Sequence, residues 1–242
     1  MSGNLSGKSC LITGAAGAIG REIAKQLALC DARLFLTSRR KGELSKLSEE
    51  IREVSSSVST HVCDLRELGE IEELCERAVD AFGVFDFLVN AAGVGKFAQV
   101  TELDPADLID LLQVNLIAPF TIIRRFLPGM IERGSGAVVN ISSIAGVYGY
   151  PYCSAYGASK AALIGLSRSL REELMPRGIR VFTVCPSSVD TPFMNNVPKQ
   201  IPREKMLKPE DVASVVVRLL SHPERVVEEE IVLKPMAYRP YI

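Results

Sequence analysis

Tyr156 and Lys160 lie four residues apart in a stretch of small and apolar residues with helical period. Side chains at this spacing share one face of a helix. A phenol there could give or take a proton, and an ammonium group beside it would stabilise the phenolate. Roughly 0.25 such pairs are expected by chance in a chain of this composition. The pair alone therefore also fits a purely structural helix.

The elements around this pair follow a repeating order, in which short β-rich runs alternate with amphipathic stretches of helical period. The alternation predicts a single α/β domain over residues 1–242, with a doubly wound, Rossmann-type parallel sheet and helices on both faces. Such sheets bind ligands beyond the carboxyl ends of their strands. The seven runs that predict strands are residues 10–13, 33–37, 58–63, 85–90, 137–141, 180–184 and 231–233.

The first predicted strand runs into a glycine-rich segment, residues 13–20, which leads directly into a helical pattern. Small residues let the backbone approach a pyrophosphate, and the helix N-terminus attracts its negative charge. The order predicts a dinucleotide loop, although an ordinary tight turn between strand and helix has a similar composition. The predicted coenzyme contacts here are Gly14, Ala16, Gly17, Ala18, Ile19 and Gly20.

The second predicted strand ends in Ser38, Arg39 and Arg40. NAD-binding folds of this kind usually carry an acidic residue there, which binds the 2′-hydroxyl of the adenosine ribose. A guanidinium group suits a 2′-phosphate instead, because it can bind a phosphate with two hydrogen bonds. Arg39 therefore predicts NADP(H) rather than NAD(H), with Ser38 and Arg40 as neighbouring contacts. Two solvated arginines in a charged turn are the alternative.

A proline, Pro119, lies four residues after Asn115. Proline has no N–H to donate to the Asn115 carbonyl, so the sequence predicts a kinked helix with a free carbonyl oxygen. A free buried carbonyl can bind a water molecule. A proline kink that serves packing alone is the alternative.

Ser142 and Ser143 follow the fifth predicted strand, directly upstream of the Tyr156 helix. Together with the glycine loop, the Asn-Ala-Ala-Gly run at 90–93 and Asn115, this order of motifs resembles the short-chain dehydrogenase/reductase family over nearly the whole chain. The resemblance adds roles for the candidate residues. Tyr156 would be the general acid/base, and Ser143 would orient the substrate oxygen.

The family pattern also implies that Lys160 lowers the pKa of Tyr156 and holds the nicotinamide ribose, while Asn115 holds a water in a proton relay. A short substrate lid would lie near residues 191–208. The further coenzyme contacts that the resemblance implies are Asp64 and Leu65 at the adenine, Asn90, Ala91 and Gly93 at the adenosine ribose and the turn after the fourth strand, and Pro186, Val189 and Thr191 at the nicotinamide carboxamide.

Two positions depart from the family pattern. The glycine expected two residues before Gly20 is replaced by Ala18, with Gly17 one step earlier, and this spacing also resembles the longer, epimerase-like branch. A chain of 242 residues has no room for the extra substrate domain of that branch. In the second departure, Ser187 follows Pro186 where the family usually has glycine, which reduces backbone freedom before the lid.

The composition limits the classes of binding partner and the cellular compartment that we expect. The 28 basic and 29 acidic residues are interleaved and give a net charge of −1, which argues against nucleic-acid and membrane partners. The six cysteines have no Cys-x-x-Cys spacing, so we expect a reducing compartment, the cytoplasm, and no metal site. We also expect no signal peptide and no apolar run approaching membrane length. The family resemblance implies a homodimer or homotetramer that pairs helices near residues 105–130 and 154–174.

These observations predict an NADP(H)-dependent oxidoreductase that moves a hydride between the nicotinamide and a small-molecule carbonyl or secondary alcohol. A coenzyme-binding regulator without chemistry, and an epimerase or dehydratase with a tightly held nicotinamide, are the alternatives. The predicted substrate is moderately hydrophobic, because the expected borders of its pocket are mostly apolar: Gly95, Phe97, Ala145, Tyr152, Cys153, Phe193 and Met194.

Overall fold

The computed structural model describes residues 5–55, 57–198 and 201–237. In this part of the chain one sheet has the strand order β3-β2-β1-β4-β5-β6-β7, and every neighbouring pair is parallel. The predicted doubly wound fold is confirmed. The strands are β1 (Ser9–Thr13), β2 (Arg33–Ser38), β3 (Val58–Val62), β4 (Phe87–Asn90), β5 (Gly136–Ile141), β6 (Ile179–Pro186) and β7 (Glu230–Leu233).

Helices cover both faces of the sheet because side chains alternate along each strand. In β1, Ile12 packs in one apolar cluster with residues of α1, α2 and α7. Its neighbour Leu11 packs in a second cluster with residues of α3, α5 and α6. The helices are α1 (Ala18–Leu29), α2 (Lys41–Arg52), α3 (Leu68–Phe82), α4 (Pro105–Leu112), α5 (Ala118–Arg133), α6 (Ser154–Leu174) and α7 (Pro209–Leu220).

The strand order reverses between β1 and β4, which lie side by side with Thr13 opposite Asn90. The connections that leave these two strands therefore diverge, and a crevice opens beyond their carboxyl ends. This topological switch point holds the candidate site.

The helical run Pro105–Arg133 joins α4 and α5 through a π-helical turn, Gln113–Ile117. It begins as its sequence predicts, with Asp104 accepting a hydrogen bond from the Ala106 N–H at 2.8 Å and proline at the first helical position. Among the described residues this run alone is long and apolar enough to cross a membrane. By length and composition it contradicts the expectation that no apolar segment approaches the length of a membrane span. One such helix is weak evidence for a membrane span, because the core helix of a soluble protein has the same character.

Candidate active site

One large cavity lies over the carboxyl ends of the strands, and nearly all of the predicted site residues line it. Among the predicted coenzyme contacts, Ala16 and Asn90 do not form part of its wall, nor does Asn115 of the predicted catalytic set. Ser143, Tyr156 and Lys160 line it together with all seven predicted borders of the substrate pocket. The fold thus brings the glycine loop and the tyrosine helix to one site.

Close backbone approaches shape the glycine loop. Gly14 has a φ of +64°, and a Cβ added to it would lie 2.6 Å from the Cα of Ala92 in the turn after β4. A side chain on Gly20 would collide with the Gly14 carbonyl. Gly17 precedes α1 without a side-chain cap, so the first N–H groups of the helix are available to a phosphate. Ala18 is the first helical residue of α1, so the helix accommodates this departure from the family pattern.

The two arginines after β2 differ in their contacts. Arg40 donates a hydrogen bond to the Ala16 carbonyl and so braces the glycine loop. Arg39 is exposed and, within the described residues, forms no salt bridge or side-chain hydrogen bond. Its guanidinium group at the cavity wall is free to bind an anion.

An ion pair that the sequence does not reveal lies beside the predicted adenine contacts. Arg66 donates from Nε and Nη2 to the two carboxylate oxygens of Asp110 on α4, at 2.6 and 3.0 Å. The Arg66 N–H also donates to Asp64 Oδ1 at 3.1 Å. The pair holds the Asp64 turn against α4, and no local sequence signal could have joined residues 44 positions apart.

Tyr156 is only 7% exposed, and its side chain is hydrogen-bonded to that of Ser143. Burial raises the pKa of Tyr156 to about 12, and the hydrogen bond with Ser143 partly opposes that rise. The expected lowering of this pKa by Lys160 is not seen in the structure. The physical reason is that desolvation of the phenolate dominates, while the Lys160 ammonium group donates to the Ile141 carbonyl at 3.0 Å.

Lys160 is also buried, with 4% of its surface exposed, and burial lowers its pKa to about 8. The turn after β4 approaches it closely. A Cβ added to Gly93 would lie 3.1 Å from Lys160 Nζ and 3.4 Å from Asn115 Oδ1. Glycine at this position therefore leaves room beside the ammonium group.

Asn115 lies in the π-helical turn, where the Ala118 N–H reaches back five residues to the Gln113 carbonyl. The predicted distortion of the helix is confirmed, and its cause is the missing N–H of Pro119. The Asn115 side chain exchanges two hydrogen bonds with the Val94 backbone, at 3.0 and 2.9 Å, and donates to Ser159 Oγ at 3.0 Å. It therefore fastens the turn after β4 to α6. The water relay at its carbonyl stays a prediction.

Asn90 lies inside the sheet. Its amide donates to Asn140 Oδ1 on β5 at 2.8 Å, and the Asn140 amide donates to Ser167 Oγ on α6 at 2.9 Å. This buried chain of hydrogen bonds joins β4, β5 and α6 beneath the cavity. The side chain of Asn90 is therefore committed to the sheet, and its contact with the adenosine ribose stays a prediction.

Aromatic side chains surround Tyr156 at the substrate end of the cavity. The ring of Phe97 lies 5.2 Å from that of Tyr156, and the ring of Phe193 lies 5.6 Å from both, measured between centroids. With Leu111, Ala155 and neighbouring residues they form a small apolar cluster. This cluster explains the burial of the Tyr156 ring.

The segment after β6 is fixed where it leaves the sheet. The Ser187 N–H continues the pairing with β7 by donating to the Leu233 carbonyl at 2.9 Å, so serine at this position extends the strand geometry. Farther on, the Asp190 carboxylate binds Arg203 and Lys208, each at 2.7 Å. Val189 forms a parallel bridge with Leu207. Both ends of the predicted lid are thereby joined, while its residues 199 and 200 lie outside the described ranges.

The comparisons with known proteins agree with this geometry. The chain matches the family model described as short chain dehydrogenase over residues 8–202. It belongs to the short-chain dehydrogenase/reductase family, and it is an oxidoreductase that acts on CH–OH or carbonyl groups. In the described ranges, no three or more His, Cys, Asp or Glu side chains are grouped as a metal site requires.

Individual relatives extend over almost the entire chain. The chain is 33% identical to the 3-oxoacyl-(acyl-carrier-protein) reductase FabG of Thermotoga maritima, covering 94% of this chain and 96% of the relative. It is 34% identical to carbonyl reductase family member 4 of Xenopus laevis, with 89% and 92% covered.

Two solved structures are similar. An alcohol dehydrogenase from the archaeon Thermococcus sibiricus, complexed with 5-hydroxy-NADP, superposes with a TM-score of 0.88 at 31% identity, covering 97% of this chain and 99% of that one. A metagenomic short-chain oxidoreductase in complex with NADP gives a TM-score of 0.84 at 34% identity, covering 96% and 99%.

Proposed function

We propose that this protein is an NADP(H)-dependent carbonyl reductase and alcohol dehydrogenase, with Tyr156 as its general acid/base. The observation that carries the proposal is the hydrogen-bonded pair of Tyr156 and Ser143 side chains on the wall of the cavity that also contains the glycine loop. A binding module has no need of a proton-transfer group at this place. The pair gives a carbonyl oxygen two hydroxyl groups to bind.

The residues at the glycine-loop end of the cavity fit a dinucleotide. Gly14 and Gly20 bring the backbone close at the N-terminus of α1, and Gly93 leaves space beside Lys160. Among the residues that the structure describes, Arg39 has no partner, and it lies at the end of β2, where a 2′-phosphate would lie. The two similar structures were determined with NADP or a derivative of it. We therefore assign NADP(H) rather than NAD(H) as coenzyme, held by the predicted contacts.

When bound, the nicotinamide supplies or accepts the hydride. The protein's own residues handle the proton. Ser143 and Tyr156 bind the substrate oxygen, and Tyr156 gives it a proton during reduction. With a pKa of about 12 the phenol is protonated at neutral pH and can give this proton. The proposed role of the Lys160 charge is to offset the negative charge that forms on Tyr156 as the proton leaves, an effect that does not outweigh desolvation in the structure without substrate.

We further propose that residues 191–208 form the substrate lid of a single-domain enzyme, since Phe193 and Met194 line the cavity and the lid ends are joined. A cytoplasmic homodimer or homotetramer is also proposed. Large apolar side chains on the 105–133 run are exposed, among them Ile109 at 67% and Phe120 at 47%, and a partner subunit would bury them. Sedimentation as a monomer at micromolar concentration would contradict this assembly.

The catalytic assignment is tested by Tyr156→Phe, which keeps the ring and removes the hydroxyl. We expect kcat to fall at least ~100-fold, because the other hydroxyl group of the pair, that of Ser143, is a much weaker acid than a phenol. The dissociation constant for NADPH and the melting temperature should stay nearly unchanged. Tyr148→Phe, the same change on an exposed tyrosine of the cavity, is the matched control.

Near-normal turnover by a well-folded Tyr156→Phe protein would contradict the mechanism and favour a coenzyme-binding regulator. A wild-type reaction that alters the substrate without net loss of NADPH would point instead to an epimerase or dehydratase. The readouts are NADPH absorbance, product analysis and thermal unfolding.

A further inference from the structure

Tyrosine is concentrated at the substrate end of the cavity. Four of the six tyrosines of the chain fall within residues 148–156. These four side chains line the cavity together with Phe97 and Phe193. Aromatic residues make up only 6% of the chain, so this grouping gives the substrate end a composition different from that of the rest of the molecule.

Phe97 and Phe193 form an ordered pair of rings beside Tyr156. Their planes meet at 87° with centroids 5.6 Å apart, the edge-to-face arrangement that aromatic rings prefer. Gly95 makes this arrangement possible, because a side chain there would collide with the Phe193 ring and lie 3.1 Å from the Phe97 ring. The turn after β4 thus leaves room for the Phe193 ring to pack beside Phe97.

The charged groups near these rings are one ion pair and two further lysines. Lys96, next to Gly95, is paired with Asp107 at 2.6 Å. Lys234 lies over the Tyr148 ring, with its Nζ 4.9 Å from the ring centroid. Lys205 is exposed and lines the cavity from the 191–208 segment. A neutral ring can therefore occupy the space beside Tyr156 without separating an ion pair.

A substrate oxygen bound by Ser143 and Tyr156 fixes where the rest of the substrate lies. Its carbonyl carbon comes close to the Tyr156 hydroxyl, and one substituent must then pass alongside the apolar cluster that contains Phe97 and Phe193. An aromatic substituent can make ring-to-ring contacts there that a saturated group of equal size cannot make.

We infer that the preferred substrate is an aryl ketone or aryl aldehyde whose ring packs against Phe97 and Phe193. This inference rests on the proposed function. In the reaction, hydride adds to the carbonyl carbon, the π electron pair moves to oxygen, and that oxygen takes the proton of Tyr156. The corresponding alcohol would be oxidised by the reverse steps.

The test compares two ketones of nearly equal size, 1-phenylethanone and 1-cyclohexylethanone, with NADPH as reductant. Conjugation makes a carbonyl attached to an aryl group less reactive, so the informative quantity is the change in the kcat/KM ratio between variants. We expect Phe97→Leu and Phe193→Leu each to lower the phenyl-to-cyclohexyl ratio about tenfold, within the energy of a ring pair. Phe82→Leu, the same change on a partly buried ring outside the cavity, should leave the ratio unaltered.

Gly95→Ala provides a second variant that keeps both rings and displaces Phe193, and it should lower the same ratio. A ratio unchanged in all three cavity variants would overturn the inference, as would a wild-type preference for acetoacetyl-coenzyme A over both ketones. Either result leaves the proposed reductase activity standing. Failure of every carbonyl compound to consume NADPH would instead remove the proposed function itself.

Discussion

The two ends of the cavity are built by different means. The coenzyme end consists largely of backbone brought together by glycine, as at Gly14 against Ala92 and at Gly20 against Gly14. The substrate end consists of side chains from three separate segments, represented by Phe97, Tyr156 and Phe193. A backbone-built site accepts a constant ligand such as a dinucleotide, whereas a side-chain-built site can be changed residue by residue.

Lys160 lies between these ends, and among the variants considered its removal should have the largest effect on turnover and coenzyme binding together. Lys160→Ala deletes two proposed contributions, the charge that offsets the phenolate forming on Tyr156 during the reaction and the contact with the nicotinamide ribose. We expect kcat to fall by at least ~100-fold and NADPH binding to weaken about tenfold. Lys46→Ala, which removes a positive charge from the exposed face of α2, is the control.

Steady-state kinetics and direct titration with NADPH separate the two effects of Lys160→Ala. Loss of turnover with unchanged affinity for NADPH would show that Lys160 acts at the substrate end only. It would contradict the proposed contact between Lys160 and the nicotinamide ribose.

Arg39 belongs to the coenzyme end alone, so its replacement should change coenzyme choice without changing substrate choice. Arg39→Asp removes the cation for the 2′-phosphate and adds an acceptor for the 2′-hydroxyl of NADH. We expect the NADPH-to-NADH ratio of kcat/KM to fall roughly 10- to 100-fold, as for loss of a charged hydrogen bond. Arg52→Asp, the same charge change at the end of α2, should leave the ratio alone. Equal use of both coenzymes by the wild type, unaltered by Arg39→Asp, would remove this assignment.

The burial of Lys160 also predicts a smaller effect, on the pH dependence of stability. Its pKa falls from 10.5 in the unfolded chain to about 8 in the folded protein. The unfolded chain therefore binds more protons between these values, and the free energy of unfolding should gain a rising contribution from Lys160 across this window. Relative to Lys160→Met, the wild type should gain roughly 2 kcal/mol between pH 7.5 and 9.5. Urea unfolding measures both proteins, and equal pH slopes would contradict the assigned burial.

The contrast between the contiguous coenzyme loop and the dispersed side chains of the substrate end explains which features the sequence could predict. The glycine loop is a contiguous motif, and Tyr156 and Lys160 are one helical turn apart, so local spacing suffices to find them. The Pro119 kink likewise follows from a single missing N–H. The parallel, doubly wound sheet of seven strands needed only the alternation of strands and helices.

Features that depend on distant pairs could not be predicted. Arg66 pairs with Asp110 and Asn90 with Asn140 across 44 and 50 residues, and nothing local marks those pairs. The high pKa of Tyr156 depends on desolvation by a cluster that includes Phe97 and Phe193, which approach from other parts of the chain. Sequence spacing placed Lys160 beside Tyr156 but could not show that its ammonium group binds the Ile141 carbonyl.

We propose that the two ends of the cavity serve one direct hydride transfer, which can be followed with an isotope label on the coenzyme. The wild-type protein is given NADPH carrying deuterium at both C4 positions, together with 1-phenylethanone, and the alcohol is analysed by mass spectrometry. We expect one deuterium on the carbinol carbon of every product molecule, with one NADPH consumed for each. An alcohol without deuterium, or NADPH that binds and is never consumed across a panel of carbonyl compounds, would contradict it.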